Sequence, residues 1–223
     1  MSKHTAIDHF LTALWTAPAG ELDNVFDPWN SVSTDDIAIH AVKERRERLR
    51  QHLAAPSPKL LCIGEAPGYQ GARISGSAFT SEALLLEGAI PRVPTLQARL
   101  SARKLPWREP SATIVWGSLY KAGLAEHTIL WNAFPWHPHQ PGRPLSNRTP
   151  SRQEKDIGAP ILHKLIAALP GVKLLAVGQV AGETLRALGI DAETIRHPAM
   201  GGATAFREGL QRIASTMLEP ALP

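Results

Sequence analysis

Three short segments of the chain carry side chains that neither turn geometry nor core packing alone would require. The first reads Gly64-Glu65-Ala66-Pro67-Gly68-Tyr69-Gln70-Gly71-Ala72-Arg73 and runs on through Gly76 to Phe79-Thr80. It follows an apolar run, so Glu65 leaves a strand end into a loop whose glycines let the backbone approach a ligand closely. The second opens at Trp131-Asn132-Ala133-Phe134-Pro135-Trp136-His137-Pro138-His139. An Asn at a strand end offers a donor and an acceptor, enough to read one edge of a heterocycle with two hydrogen bonds. The third is His197-Pro198-Ala199-Met200-Gly201-Gly202, just ahead of a helical pattern. A histidine there can donate to an oxygen that becomes negative, and its Pro and two Gly make a loop able to press against a surface. Each segment alone also has a plain reading: a connector with a capping Glu, a turn-forming Asn, a satisfied structural His.

Several chemistries are excluded. The first loop lacks the G-x-x-x-x-G-K-[ST] of a P-loop and the strand-proximal G-x-G-x-x-G of a dinucleotide site. No G-x-S-x-G elbow occurs anywhere, which disfavours an ordinary α/β-hydrolase. A single cysteine, Cys62, cannot form an internal disulfide, a four-thiolate zinc site or a four-cysteine iron–sulfur cluster. His137 and His139 have no adjacent carboxylate or cysteine, so they read as positioning or solvated histidines, and no metal or cofactor is expected.

The elements that must position these segments follow from periodicity. Unbroken apolar runs at Lys59–Ile63, Thr128–Trp131 and Val172–Val177 suit strands covered on both faces, and Glu193–Arg196 is a weaker fourth. Helical patterns fall at 5–17, 35–53, 81–88, 151–168, 179–188 and 203–218, and Ser151-Arg152-Gln153-Glu154 can form a capping box on the fourth of these. Strand and helix therefore alternate, which predicts an α/β fold: a central parallel sheet of about four strands flanked by helices, in three α/β/α layers. All three chemical segments follow strands, at the carboxyl ends where open parallel sheets bind ligands. Residues 89–127, rich in Pro and Arg, form an insertion without a readable pattern. The basic helix over 35–53 carries Lys43, Arg45, Arg46, Arg48 and Arg50, read as a solvated face in preference to a phosphate-binding one.

At 223 residues the chain is expected to form one domain over 1–223, with an N-terminal helical extension over about 1–55. Hydrophobic content of 43% and charged content of 20% argue against disorder. The excess of 24 Lys+Arg over 20 Asp+Glu is too mild to name a partner. Met1-Ser2-Lys3-His4-Thr5 lacks the layout of a signal peptide, and no window reaches about 18 apolar residues, so a cytoplasmic monomer without membrane contact is expected.

Taken in order, G-E-A-P-G, S-G-x-x-F-T, a strand ending in Asn and H-P-x-x-G-G before the last helix resemble the uracil-DNA glycosylase superfamily over about residues 59–212. The first motif is most similar to a branch that bears an iron–sulfur cluster, and the lone Cys62 makes this chain look like a cluster-free relative. The resemblance implies a DNA-repair enzyme that flips uracil out of DNA and hydrolyses its N-glycosidic bond, with DNA holding uracil or a related deaminated base as partner. It implies Asn132 on uracil N3–H and O4, Phe79 stacked on the base, and His197 as a neutral donor to O2. Glu65 would position water, with Gly64 and Ala66 lining the base site; much of the superfamily has Asp or Asn where Ala66 stands. One branch excludes thymine with a Tyr at the place of Gly68. Here Tyr69 either takes over that task or simply lines the loop. Met200 is either a wedge into the vacated stack or packing beneath its loop, and Gly201 shares that DNA-facing turn. Arg73, Arg143, Arg148 and Arg207 lie on or beside these loops, where each is either a phosphate contact or, as reads better for any one alone, a plain surface charge. Two alternatives stay open: a glycosylase for hypoxanthine or xanthine, and a non-catalytic module for abasic sites or flipped bases. The second would have no need of a carboxylate beside phosphates.

Overall fold

A computed structural model describes residues 3–218, and along them strand and helix alternate. In chain order the elements are α1 (Lys3–Trp15), β1 (Val25–Phe26), α2 (Ala41–Leu53), β2 (Leu60–Gly64), α3 (Ala72–Ser75), α4 (Glu82–Leu86) and α5 (Pro110–Lys121). Then follow β3 (Thr128–Asn132), β4 (His137–Pro138), α6 (Arg152–Ala168), β5 (Lys173–Val177), α7 (Gln179–Ala187), β6 (Glu193–Ile195) and α8 (Ala203–Leu218). Met1 and Ser2, part of the stretch read for a leader, lie outside the described residues.

The expected parallel sheet forms in the order β3-β2-β5-β6, and β1 and β4 make a small separate antiparallel pair. Side chains alternate across the large sheet. Cys62, Leu130, Leu175 and Val177 join Trp116 and Leu119 of α5 and Phe206 and Leu210 of α8 on one face. Leu61, Ile63, Ile129, Trp131 and Ala176 join α1, α2, α6 and α7 on the other. This is the α/β/α layering read from the sequence. The predicted capping box on α6 is present, with the Ser151 hydroxyl accepting from Glu154 N–H and the Glu154 carboxylate accepting from Ser151 N–H. The N-terminal helix is built into the core: Phe10 meets Trp131 edge-on at 5.2 Å, and Trp29 stacks on the same indole at 5.7 Å. Among the described residues no helix is long and apolar enough to cross a membrane.

The basic helix differs from its reading. It begins at Ala41, because Asp35 and Asp36 are turned inward to pair with Arg73 and Arg45. Arg45 is buried on Asp36 and the Ser31 carbonyl, each at 2.7 Å, and Arg48 donates to Ser75 O at 2.8 Å. The Arg45 and Arg48 guanidiniums are internal struts, neither a solvated face nor a phosphate site, whereas Lys43 and Arg50 of the same helix are exposed as read.

One strut closes a sheet edge. β3 is outermost, and its Leu130 N–H donates to buried His52 Nε2 at 2.9 Å. Burial, assisted by Arg92, pushes the His52 pKa down to about 3 from 6.5. The imidazole is thus neutral, as an acceptor must be. Its folded pKa is depressed, so its stabilisation is complete above pH 6.5 and is lost as pH falls toward 3. We expect His52→Ala, which orphans a buried N–H, to cost about 1–3 kcal/mol or more. Denaturant unfolding at a series of pH values should show that loss at neutral pH, with a shallower acid decline in the variant than in the parent.

Candidate active site

The carboxyl edge of the large sheet presents, strand by strand, Asn132, Gly64 and Glu65, Gly178, and the His197 loop. Asn132 pairs in register with Gly64, so the two strand ends are level. A Cβ built on Gly64 would lie 2.7 Å from Phe79 Cζ and 2.8 Å from Asn132 Oδ1. Glycine is required here by close approach: the ring and the amide meet directly above it. Phe79 reaches that place with φ at +48, a left-handed backbone that a bulky residue adopts only under constraint. Its carbonyl accepts from Trp116 Nε1–H at 3.0 Å, which holds the turn. The His197 ring lies 6.2 Å from that of Phe79.

Glu65, Ala66, Gly68, Phe79, Asn132 and His197 all line one cavity of about 680 Å³, within the usual range for small-molecule sites. The sequence-selected loops therefore converge. The Asn132 amide is nearly buried yet has no hydrogen bond among the described residues, so both its donor and its acceptor are open to a ligand. Glu65 lines the same cavity, likewise without a side-chain partner among the described residues, while its backbone carbonyl accepts from Phe134 N–H at 3.0 Å.

His197 is fixed by its own loop. Its Nδ1 accepts from Ala199 N–H at 3.1 Å, which leaves the proton of a neutral ring on Nε2. Burial, and then the neighbouring Arg196, push its pKa below the ordinary histidine value. Two glycines shape this loop: a Cβ on Gly178 would crowd His197 Cβ at 3.0 Å, and one on Gly202 would overlap the His197 carbonyl.

Other expected site residues go elsewhere. Tyr69 is not among the cavity-lining residues; its ring stands edge-on to Trp107 at 5.5 Å. Arg73, expected at phosphate, is buried instead. It pairs with Asp35 at 3.1 Å, donates to Ser33 Oγ at 2.9 Å and lies 4.7 Å from the Phe26 ring centroid, so its charge is consumed inside the fold. Arg148 lines the cavity but is paired with Glu154 at 2.6 Å. Arg143 and Arg207 are exposed. Met200 stands 93% exposed at the tip of its loop with φ at +53, followed by Gly201 at +77, so it does not pack beneath that loop. His137 is buried, its Nδ1 2.8 Å from Pro67 O, where it ties β4 to the first loop.

The structure adds a residue that the sequence reading missed. Glu109, the N-cap of α5, also lines the cavity, and burial pushes its pKa up to about 7. Glu109 comes from the patternless insertion, which buried Glu82 organises. That carboxylate accepts from Leu100 N–H, Ser101 N–H, Ser101 Oγ and Trp107 N–H at 2.7 to 3.1 Å and pairs with Arg99 at 2.8 Å. Burial alone would raise the Glu82 pKa, but these donors outweigh it and hold it at about 2.

A parallel sheet with an aromatic ring, an unpaired strand-end amide and a neutral imidazole gathered at its carboxyl edge agrees with the arrangement that the resemblance to the glycosylase superfamily implies. Comparison with known proteins agrees. The sequence pattern of the uracil DNA glycosylase superfamily matches residues 51–216, and the chain belongs to that superfamily, a group of DNA glycosylases. Among solved structures, wild-type SMUG2 from Pedobacter heparinus matches over 96% of this chain and 99% of its own, with a TM-score of 0.60. At 11% identity that likeness speaks for the fold alone. No match was found among curated proteins.

Proposed function

We propose that the chain is a monofunctional uracil-DNA glycosylase. The reading is carried by one observation: Glu65, Phe79, Asn132 and His197 share a single cavity, with the Asn132 amide unpaired. A uracil extruded from the stack would lie against Phe79, with its N3–H and O4 matched to the acceptor and donor of Asn132. Cytosine presents the opposite pattern and would be refused while the amide keeps its orientation. As the C1′–N1 bond breaks, its electron pair passes to the base and negative charge gathers on O2. The His197 Nε2–H donates to that oxygen. Glu65 orients the water whose oxygen bonds to C1′ from the opposite side and offsets the positive sugar, and the proton that water loses ends on the departed base anion. No covalent intermediate is assigned. Met200, exposed at the tip of its loop, fits the place of an apolar wedge in the vacated stack.

The deciding assay incubates the protein with uracil-containing single- and double-stranded oligonucleotides and scores alkali-labile sites. Their absence in both would overturn the reading. Hypoxanthine and xanthine belong in the same panel, because Ala66 lines the cavity without the polar side chain that much of the superfamily carries there. Asn132→Ala is expected to lower kcat/KM for uracil by about 100-fold or more, through lost positioning. Its thermal stability should stay near that of the parent, since the amide holds no protein partner.

A further inference from the structure

We infer that Glu109 is a specificity-determining residue: its side chain, laid over Gly68 and Gly71, bounds the base subsite and excludes bases with added bulk at that edge. The inference rests on the glycosylase reading only for the nature of the ligand. The geometry stands by itself. A Cβ on Gly68 would lie 3.1 Å from Glu109 Oε1, and one on Gly71 would overlap Glu109 Oε2. The loop that follows β2 therefore lacks side chains at two positions, and a carboxyl delivered from α5 fills the space they would take. Tyr69, between them, faces Trp107 and supplies no wall.

Glu109 is held there from both sides. Trp107, two residues earlier, is tied to Glu82 through its N–H at 2.9 Å, and Glu109 O accepts from Thr113 N–H at 3.2 Å in the first turn of α5. The facing loop is braced by Asn147, whose Oδ1 accepts from Tyr69 N–H at 3.0 Å. The carboxyl itself gains nothing from this placement. Its Oε2 is sealed from solvent with no hydrogen-bond partner among the described residues, an arrangement that opposes folding. A side chain kept at such a cost, on the wall of the active-site cavity, points to a task in the cavity. Its raised pKa agrees, because a carboxyl that keeps its proton up to about pH 7 repels a base departing with negative charge less than an ordinary carboxylate would.

The test measures two ratios for the parent, Glu109→Ala, Glu109→Asp and Glu109→Gln. One is the relative excision of thymine and uracil from duplexes. The other is the relative affinity for duplexes carrying cleavage-resistant 2′-fluoroarabino analogues of thymidine and deoxyuridine. Glu109→Ala should raise the thymine-to-uracil ratio by about tenfold or more, the worth of one methyl-sized clash. Glu109→Asp, which draws the carboxyl back from Gly68, should fall between, and it carries the test should the alanine variant not fold. Glu109→Gln keeps the bulk and should keep the parent ratio. A parent that binds both analogues equally, or an opened variant whose ratios stay within about twofold of the parent, overturns the inference. If the parent excises no base while the affinity ratio shifts as stated, the catalytic reading falls and the role of Glu109 stands.

Discussion

Replacing His197 by alanine is expected to lower kcat for uracil excision by about 100- to 1,000-fold, the usual loss when one donor to a developing oxyanion is removed. KM should change far less, because the bond strengthens only as charge reaches O2. His197→Gln, which restores an N–H donor on a longer arm, should recover part of the rate. The pH profile adds a second check. The His197 pKa lies below 6.5, through burial and then Arg196. The neutral ring, with Nδ1 accepting from Ala199 N–H, therefore persists further into acid than that of an ordinary histidine. Protonation would place a hydrogen on Nδ1 against that N–H and release the ring from its loop. Single-turnover rates should therefore hold further into acid than the titration of an ordinary histidine would allow, and decline only beyond it. In His197→Ala that acid limb should disappear along with the rate. A limb unchanged in the variant would assign it to another group in the cavity.

What could be read from the sequence divides along a physical line. Strands covered on both faces announce themselves as apolar runs, and α6 announces its start through Ser151 and Glu154, because both signals are local. The site was legible for a related reason: in a parallel sheet the residues that follow strand ends must gather at one edge, so Glu65, Asn132 and His197 converge once the strands are found. Long-range charge pairing was not legible. Arg73 finds Asp35 and Arg45 finds Asp36 across intervening elements, and nothing in their own neighbourhoods marks them as internal. The insertion over 89–127 in fact contains the helix α5, and the part before it has no periodicity because its order comes from one carboxylate, Glu82, which collects backbone N–H groups that no ladder serves. Glu109 was missed with it. The signal available was indirect: glycines at 68 and 71 in a loop already marked for ligand approach imply a group pressed against them from elsewhere.

The two carboxyls of the cavity should respond to amide substitution in opposite ways, and Glu65→Gln carries the larger effect. We expect it to lower the single-turnover rate by about 100- to 10,000-fold, the range for removing a placed acid–base group. Its neighbour Ala66 has no side-chain polar atom to substitute for it, and the other ionisable groups lining the cavity are Glu109, Arg148, Arg196 and His197. Of these Arg148 is paired with Glu154, and Glu109 is pressed onto Gly68 and Gly71. Glu65→Gln keeps shape and size and removes only the negative charge that would orient water and offset the sugar cation. Binding to cleavage-resistant uracil DNA should therefore be retained or tightened, since a charge that repels phosphate is gone. Glu109→Gln should instead leave the excision step largely in place and raise the melting temperature near pH 7. The Glu109 pKa is raised from 4.5 to about 7, so the folded state holds its proton longer and loses stability as pH climbs through that interval. The amide removes that penalty. Rates and melting curves on both variants would separate the carboxylate that acts on water from the carboxyl that shapes the pocket. A Glu65→Gln enzyme that cleaves at the parent rate would take water positioning away from Glu65.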